Sequence, residues 1–170
     1  MFCGLSPAPS YRHQYAAGEL FALLLPYGKR VGLQVVVAPA AVRYAPRTEV
    51  QPDVFVLPLR RDGRRPDRFS DVGRLTLAVE VLSPSTAAHD RGDKFAQYRR
   101  IPTLQEYLLI DVDTRCADLY RKGVDGMWVL HPFEAGQTVQ LASVKLDIAA
   151  GTLFAEVDPR PAAAPPAPGG

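Results

Sequence analysis

The sequence predicts one compact α/β domain, and three observations carry that expectation. The chain has 170 residues, 47% of them hydrophobic and 22% charged, enough apolar mass for a single core. An early segment, Tyr11 to Gly28, sets Tyr15, Leu20, Leu23 and Leu24 at roughly helical spacing. Beyond it, short apolar or β-branched runs alternate with polar, Pro- and Gly-rich connections.

In chain order, Met1 to Ser10, with Gly4, Pro7 and Pro9, reads as an extended entry segment or the remnant of a strand. The first helix follows, with Gly28 as its expected stop. Val31 to Val37 is β-branched and apolar and ends at Pro39, which predicts a strand. A loop holding Pro46 and Pro52 then leads to a short buried strand, Val54 to Leu57. Leu59 to Asp71 is rich in Arg, Asp, Gly and Pro and should be an exposed connection.

Arg74 to Leu82 is the clearest strand. Its near-continuous apolar character suggests a central position covered on both faces. After a polar loop from Ser83 to His89, Asp90 is the expected N-cap of a helix, with Asp93 in a capping-box-like place. That helix should run to about Arg100 and stop before Pro102. Glu106 to Asp111, Cys116 to Lys122 and Met127 to Phe133 read as consecutive strands, the last two a hairpin turning at Gly123 to Gly126. Val139 to Leu141 and Lys145 to Ile148 are expected as short edge strands. The domain is expected over residues 1–157, with 158–170 a disordered Pro/Ala/Gly tail.

Composition narrows the function classes. A formal net charge of +2 permits a polyanionic partner without demanding one. Cys3 and Cys116 are too far apart in sequence for a disulfide framework, and His13, His89 and His131 show no zinc spacing. The longest apolar run, Leu20 to Pro26, is too short to cross a bilayer. The N-terminus lacks the marks of a signal peptide, so a cytoplasmic location is the default.

The stretch with chemical content is Pro52-Asp53-Val54, then Val79-Glu80-Val81, then Asp90 to Lys94. On the clearest strand, alternation puts Leu75, Leu77, Val79 and Val81 on one face and Thr76, Ala78 and Glu80 on the other. A glutamate inside such a strand needs a metal, a cation or a proton. If Asp53 approached it to ~4 Å, the two carboxylates would repel by roughly 4 kcal/mol at an effective dielectric of about 20. A divalent cation would reverse that sign, and hard oxygen ligands favour Mg²⁺ or Mn²⁺. A Lys94 ammonium nearby could orient a water or stabilise charge developing on a phosphate. Taken singly, Asp53 reads as a turn residue, Glu80 as half of an interior pair with arginine, and Lys94 as a solvated lysine. Gln97 and Tyr98 share a helical face with Lys94.

Together these stretches resemble a known family. Glu80-Val81-Leu82-Ser83-Pro84-Ser85-Thr86, continuing through Asp90-Arg91-Gly92-Asp93-Lys94 to Tyr98, is similar to the signature of the Uma-type restriction endonucleases. Pro52-Asp53, Glu106-Tyr107 with Asp111, Ser6-Pro7 and His13-Gln14 fit the same pattern. The resemblance implies the PD-(D/E)XK nuclease superfamily, with a restriction-endonuclease-like mixed β-sheet flanked by helices. It implies Asp53 and Glu80 as metal ligands and catalytic acids. The superfamily's usual lysine position, two residues after Glu80, holds Leu82. Lys94 from the following helix takes that role in this family. Gln97, Tyr98, His13 and Glu19 are expected as supporting residues.

The function so implied is a Mg²⁺-dependent (or Mn²⁺-dependent) endonuclease acting on DNA, in the manner of a homodimer. Arg60, Arg61, Arg64 and Arg65, with Arg68, could contact phosphates, although three interspersed aspartates suit a plain solvated loop. The alternative is a nucleic-acid-binding or interaction module that keeps the nuclease fold without turnover. It rests on Cys3-Gly4-Leu5, which stands where relatives carry an acidic-glycine turn.

Overall fold

The computed structural model describes residues 10–59, 74–83 and 87–155. The expectations for the entry segment, for the arginine-bearing loop with Arg60, Arg61, Arg64 and Arg65, and for the tail lie outside the described residues.

Helix α1 (Tyr11–Val31) opens on Ser10, whose hydroxyl accepts the His13 N–H at 3.2 Å. It passes the expected stop at Gly28 and ends at Gly32, which takes the left-handed conformation with φ 76°. Gly28 has a different task. A Cβ there would lie 2.8 Å from Val35 Cγ2 and 3.2 Å from the Leu33 carbonyl oxygen. Its absence lets the helix fold back tightly on strand β1 (Leu33–Val37). Gly28→Val should therefore lower stability by about 1–3 kcal/mol through overpacking. Exposed Gly18, with nothing near its missing Cβ, should gain roughly 0.5–1 kcal/mol as alanine. Urea unfolding of the two variants checks the pair of opposite signs.

The next segment is not the expected loop. Strands β2 (Val42–Ala45) and β3 (Thr48–Val50) make a small hairpin with Pro46 at its turn and with Val42 and Val50 buried. Strands β4 (Val54–Pro58) and β5 (Leu77–Leu82) follow, and all six residues of β5 are buried. A helical segment comes next: α2 (Ala87–His89), a π-helical turn (Asp90–Lys94) and α3 (Phe95–Tyr98), run together without a break. Strands β6 (Glu106–Asp111), β7 (Cys116–Lys122) and β8 (Trp128–Phe133) complete the main sheet.

Among the described residues the main sheet has six strands in the order β1-β4-β5-β6-β7-β8. Only β5 and β6 pair in parallel, and the helical segment is the crossover between them. The parallel pair at the centre explains why β5 reads as an apolar run broken only by Glu80. Strands β9 (Val139–Leu141) and β10 (Leu146–Ile148) pair with each other rather than extending the sheet. A short helix, α4 (Ala150–Leu153), was not anticipated.

Two cores result. On one face α1 buries Ala16, Ala17, Leu20 and Leu24 against Val54, Val56, Leu77, Val79 and Val81, with β9, β10 and α4 closing the layer. The other face packs Phe55, Ala78, Tyr107 and Leu109 under Tyr98, Ile101 and the β2–β3 hairpin. Leu75 belongs to this second core, not beside Leu77 as strict alternation suggested, because it precedes the strand.

Candidate active site

The site lies where β4 begins, β5 nears its end and the π-helical turn crosses above. Asp53 stands one residue before β4, with its own N–H bonded to the Val79 carbonyl at 3.0 Å. Its side chain is held at both oxygens. Oδ2 accepts the Val81 N–H at 2.8 Å, and Oδ1 lies 3.0 Å from His13 Nε2 on α1. The loop acid is thus pinned between a sheet backbone and a helix side chain.

Glu80 is only 3% exposed. Its Oε1 accepts the Tyr98 hydroxyl at 2.7 Å and its Oε2 lies 3.1 Å from Lys94 Nζ. Lys94 Nζ also stands 2.8 Å from Asp90 Oδ1, one helical turn earlier. The partner of the strand acid is therefore a lysine and a tyrosine, not an interior arginine. Leu82, at the usual lysine position, is buried in the core on the same side of the sheet as Ala78. The cation reaches the site from the helical segment instead.

The electrostatics follow from this burial. Removal from water pushes the Glu80 carboxyl up from 4.5 to about 7, and the nearby Asp53 charge adds to the push. Lys94 and the Tyr98 hydrogen bond hold it back from rising further. Burial favours the neutral amine of Lys94, but Glu80 and Asp90 together outweigh it and leave its pKa above the ordinary value. Contact with Asp53 raises His13 above 6.5 against the opposing effect of burial. Tyr98 is driven well above its usual range, first by burial and then by Glu80, so its hydroxyl keeps its proton and remains a donor.

Of the residues expected from sequence, Asp53, Glu80, Lys94, Tyr98 and His13 come together. Glu19 and Gln97 do not. Glu19 is half-buried on α1, six positions beyond His13 and so roughly 240° around the helix, with no hydrogen bond or ion pair to the site among the described residues. Gln97 is half-buried and likewise makes no side-chain bond to it.

Asp90 is the residue that sequence reading misassigned. It is buried inside the π-helical turn and faces Lys94, whereas an N-cap would sit exposed at the helix start. Asp93, its supposed capping partner, pairs with His89 at 3.2 Å. The spacing of four between Asp90 and Lys94 was the available signal. Tyr107 supports the same turn by donating its hydroxyl to the Asp90 carbonyl at 3.1 Å. π-turns are rare and occur often at functional sites.

The chemistry of the donor set is that of a hard-cation site, in which an ion would share carboxylate oxygens already met by Val81 N–H, His13, Tyr98 and Lys94. The two carboxylates offer hard oxygens and no thiolate. Among the described residues no group of three or more His, Cys, Asp and Glu side chains could enclose an ion. Two carboxylates with the remaining positions left to water and substrate suit Mg²⁺ or Mn²⁺, whereas a closed zinc site needs four protein ligands. The mutual repulsion of Asp53 and Glu80 is the other half of the fit.

A crystallised "putative nuclease belonging to DUF820" from Anabaena variabilis superposes with a TM-score of 0.71 over 88% of this chain and 83% of its own. At 18% identity that likeness shows a shared fold, the restriction-endonuclease-like mixed sheet flanked by helices. The "Uncharacterized protein slr1290" of Synechocystis sp. is 41% identical over 103 residues, 61% of this chain and 53% of that protein. The "Uncharacterized protein sll1609" from the same organism is 39% identical over 84 residues, 46% of this chain and 44% of that protein. The chain thus spans about half the length of these curated relatives. No described helix is long and apolar enough to cross a membrane. Residues 4–151 match the family Uma2, described as "Putative restriction endonuclease". With most of its length accounted for by that match, the chain belongs to the Uma2 family.

Proposed function

We propose that the chain is a metal-dependent endonuclease that hydrolyses phosphodiester bonds in DNA, with Asp53, Glu80 and Lys94 as its catalytic residues. The observation that carries this reading is the Glu80–Lys94 pair, 3.1 Å apart beneath the π-helical turn and close enough to the pinned carboxylate of Asp53 to feel its charge. Asp53 and Glu80 would hold Mg²⁺ or Mn²⁺, which when bound polarises a phosphoryl oxygen and acidifies a water. The protein's own groups do the rest. Lys94, half-buried beside the almost fully buried Glu80, offers an ammonium to the charge developing on the phosphate. Tyr98 fixes one oxygen of Glu80, so the other keeps a constant bearing toward Lys94. His13 does the same for Asp53. The reading extends to a cytoplasmic protein that works as a homodimer, because a lone site nicks one strand of a duplex.

Supercoiled plasmid incubated with Mg²⁺ or Mn²⁺ tests it. Conversion to nicked or linear forms should occur with the native chain, stop in EDTA, and be lost in Asp53→Ala and Glu80→Ala. Intact plasmid under all conditions, together with a salt-sensitive gel shift, would instead mark a binding module without turnover.

A further inference from the structure

The helical segment covers only part of the sheet face beneath it. The segment and the turn after it descend along β7 in order: Arg91 Nε meets Asp118 Oδ2 at 3.1 Å, the Phe95 ring lies 4.1 Å from that of Tyr120, and the Pro102 carbonyl accepts from Lys122 Nζ at 3.3 Å. Asp118, Tyr120 and Lys122 point to this face, and the register sets Pro132, Leu130 and Trp128 of β8 directly opposite them. Nothing among the described residues hydrogen-bonds to the outer edge of β8, and the sheet ends there. The result is a shelf. Leu130 is 46% exposed on it, and Phe95 meets Trp128 edge-on at 5.6 Å, which leaves a partly exposed indole at the rim.

Charge sets the kind of partner. Arg99, exposed one turn after Phe95, makes no ion pair among the described residues, and Lys122 is met by a carbonyl rather than a carboxylate. Arg91 is matched by Asp118 alone. An apolar, aromatic shelf beside unmatched cations complements a chain that carries π-faces on one side and phosphates on the other. Distance connects it to the chemistry. Glu80, Leu109 and Asp118 occupy one row across the sheet, and Trp128 lies one strand further out and four residues along β7, so the indole stands about 20 Å from the strand acid.

We propose that this shelf docks an unpaired nucleic-acid strand, with a base stacked on Trp128 and adjacent phosphates on Lys122 and Arg99. It rests on the nuclease reading and gives that reading a substrate class: DNA with a single-stranded stretch several nucleotides from the scissile bond. A base buried in a duplex offers no π-face to an indole, whereas an unpaired one does.

Trp128 is the chain's one tryptophan, so intrinsic fluorescence reports on the shelf alone. The full chain, held with Ca²⁺ to suppress cleavage, is titrated with a thymidine 20-mer, a hairpin duplex and an abasic tract of equal length. Saturable quenching by the 20-mer is expected, with about tenfold weaker binding of the abasic tract, the size of one base–aromatic stack. Labelled-oligonucleotide anisotropy should show a similar loss in Trp128→Ala and partial retention in Trp128→Phe. If the 20-mer binds without altering the emission, or binds Trp128→Ala as well as the native chain, the shelf is not the docking surface. Absence of binding by the 20-mer at low salt also overturns the proposal. Plasmid cleavage with no Trp128 response overturns the shelf and leaves the nuclease reading intact. Quenching without cleavage supports the shelf and removes the nuclease.

Discussion

Replacing Lys94 by methionine is expected to slow plasmid cleavage by about 10²–10³-fold, the usual loss when a preorganised electrostatic donor is removed. The same change strips the shared cation from Glu80 and Asp90, both almost fully buried. An orphaned buried charge costs several kcal/mol, and Glu80 can escape that cost by taking up a proton. Lys94→Met should therefore be visibly destabilised near pH 8 and recover much of its stability toward pH 5. Arginine at position 94 keeps the charge but not the compact point donor that fits between two carboxylates, so it should restore stability better than cleavage. Chemical unfolding at the two pH values, set beside cleavage rates, checks both halves. A Lys94→Met protein that cuts plasmid like the native chain would remove the lysine from the chemistry.

The second large effect concerns pH and the strand acid. Glu80 has an ordinary value of 4.5 and a folded value of about 7, so between these limits the folded chain binds a proton that the unfolded chain does not. Stability then falls as pH rises through that window, because the unfolded state gains by ionising there and the folded state does not. The full change is about 3 kcal/mol at 1.36 kcal/mol per pH unit. His13, raised above 6.5, also contributes stability that is complete below that value and fades as pH climbs through its folded pKa. Comparison with Glu80→Gln separates the two. In EDTA the glutamine variant should match the native chain near pH 4.5 and exceed it by about 2–3 kcal/mol at pH 8. Parallel stability profiles for the two proteins would show that Glu80 carries no such penalty.

Most of the scaffold could be read from the sequence because its elements advertise themselves locally. The five apolar residues of β5, the helical spacing of α1 and the Gly123–Gly126 turn each state a conformation without outside help. The failures came where tertiary contacts decide. Gly28 has the composition of a helix stop, yet the approach of β1 uses it as a packing notch and leaves the stop to Gly32. Prolines at 46 and 52 suggested a loop, whereas Pro46 sits at the turn of a two-stranded ribbon whose Val42 and Val50 feed the second core.

The site shows the same division. Glu80 was conspicuous because a carboxylate in an apolar strand contradicts its surroundings. Lys94 and Tyr98 share one helical face but are otherwise unremarkable in sequence, and their roles, like that of His13, follow from the family resemblance. Asp90 was mistaken for a cap because a capping acid and a buried ion-pair acid look alike in one dimension. What distinguishes them is the sheet beneath, where Tyr107 anchors the turn and Glu80 draws Lys94 inward.

The central claim is that the pinned loop acid and the buried strand acid jointly bind a divalent cation. Calorimetric titration of Mn²⁺ into the full chain at pH 8 tests it most directly, since it needs no substrate. The account predicts one saturable site whose affinity drops at least tenfold in both Asp53→Asn and Glu80→Gln. Equal Mn²⁺ affinity in the native chain and in both folded variants would contradict it.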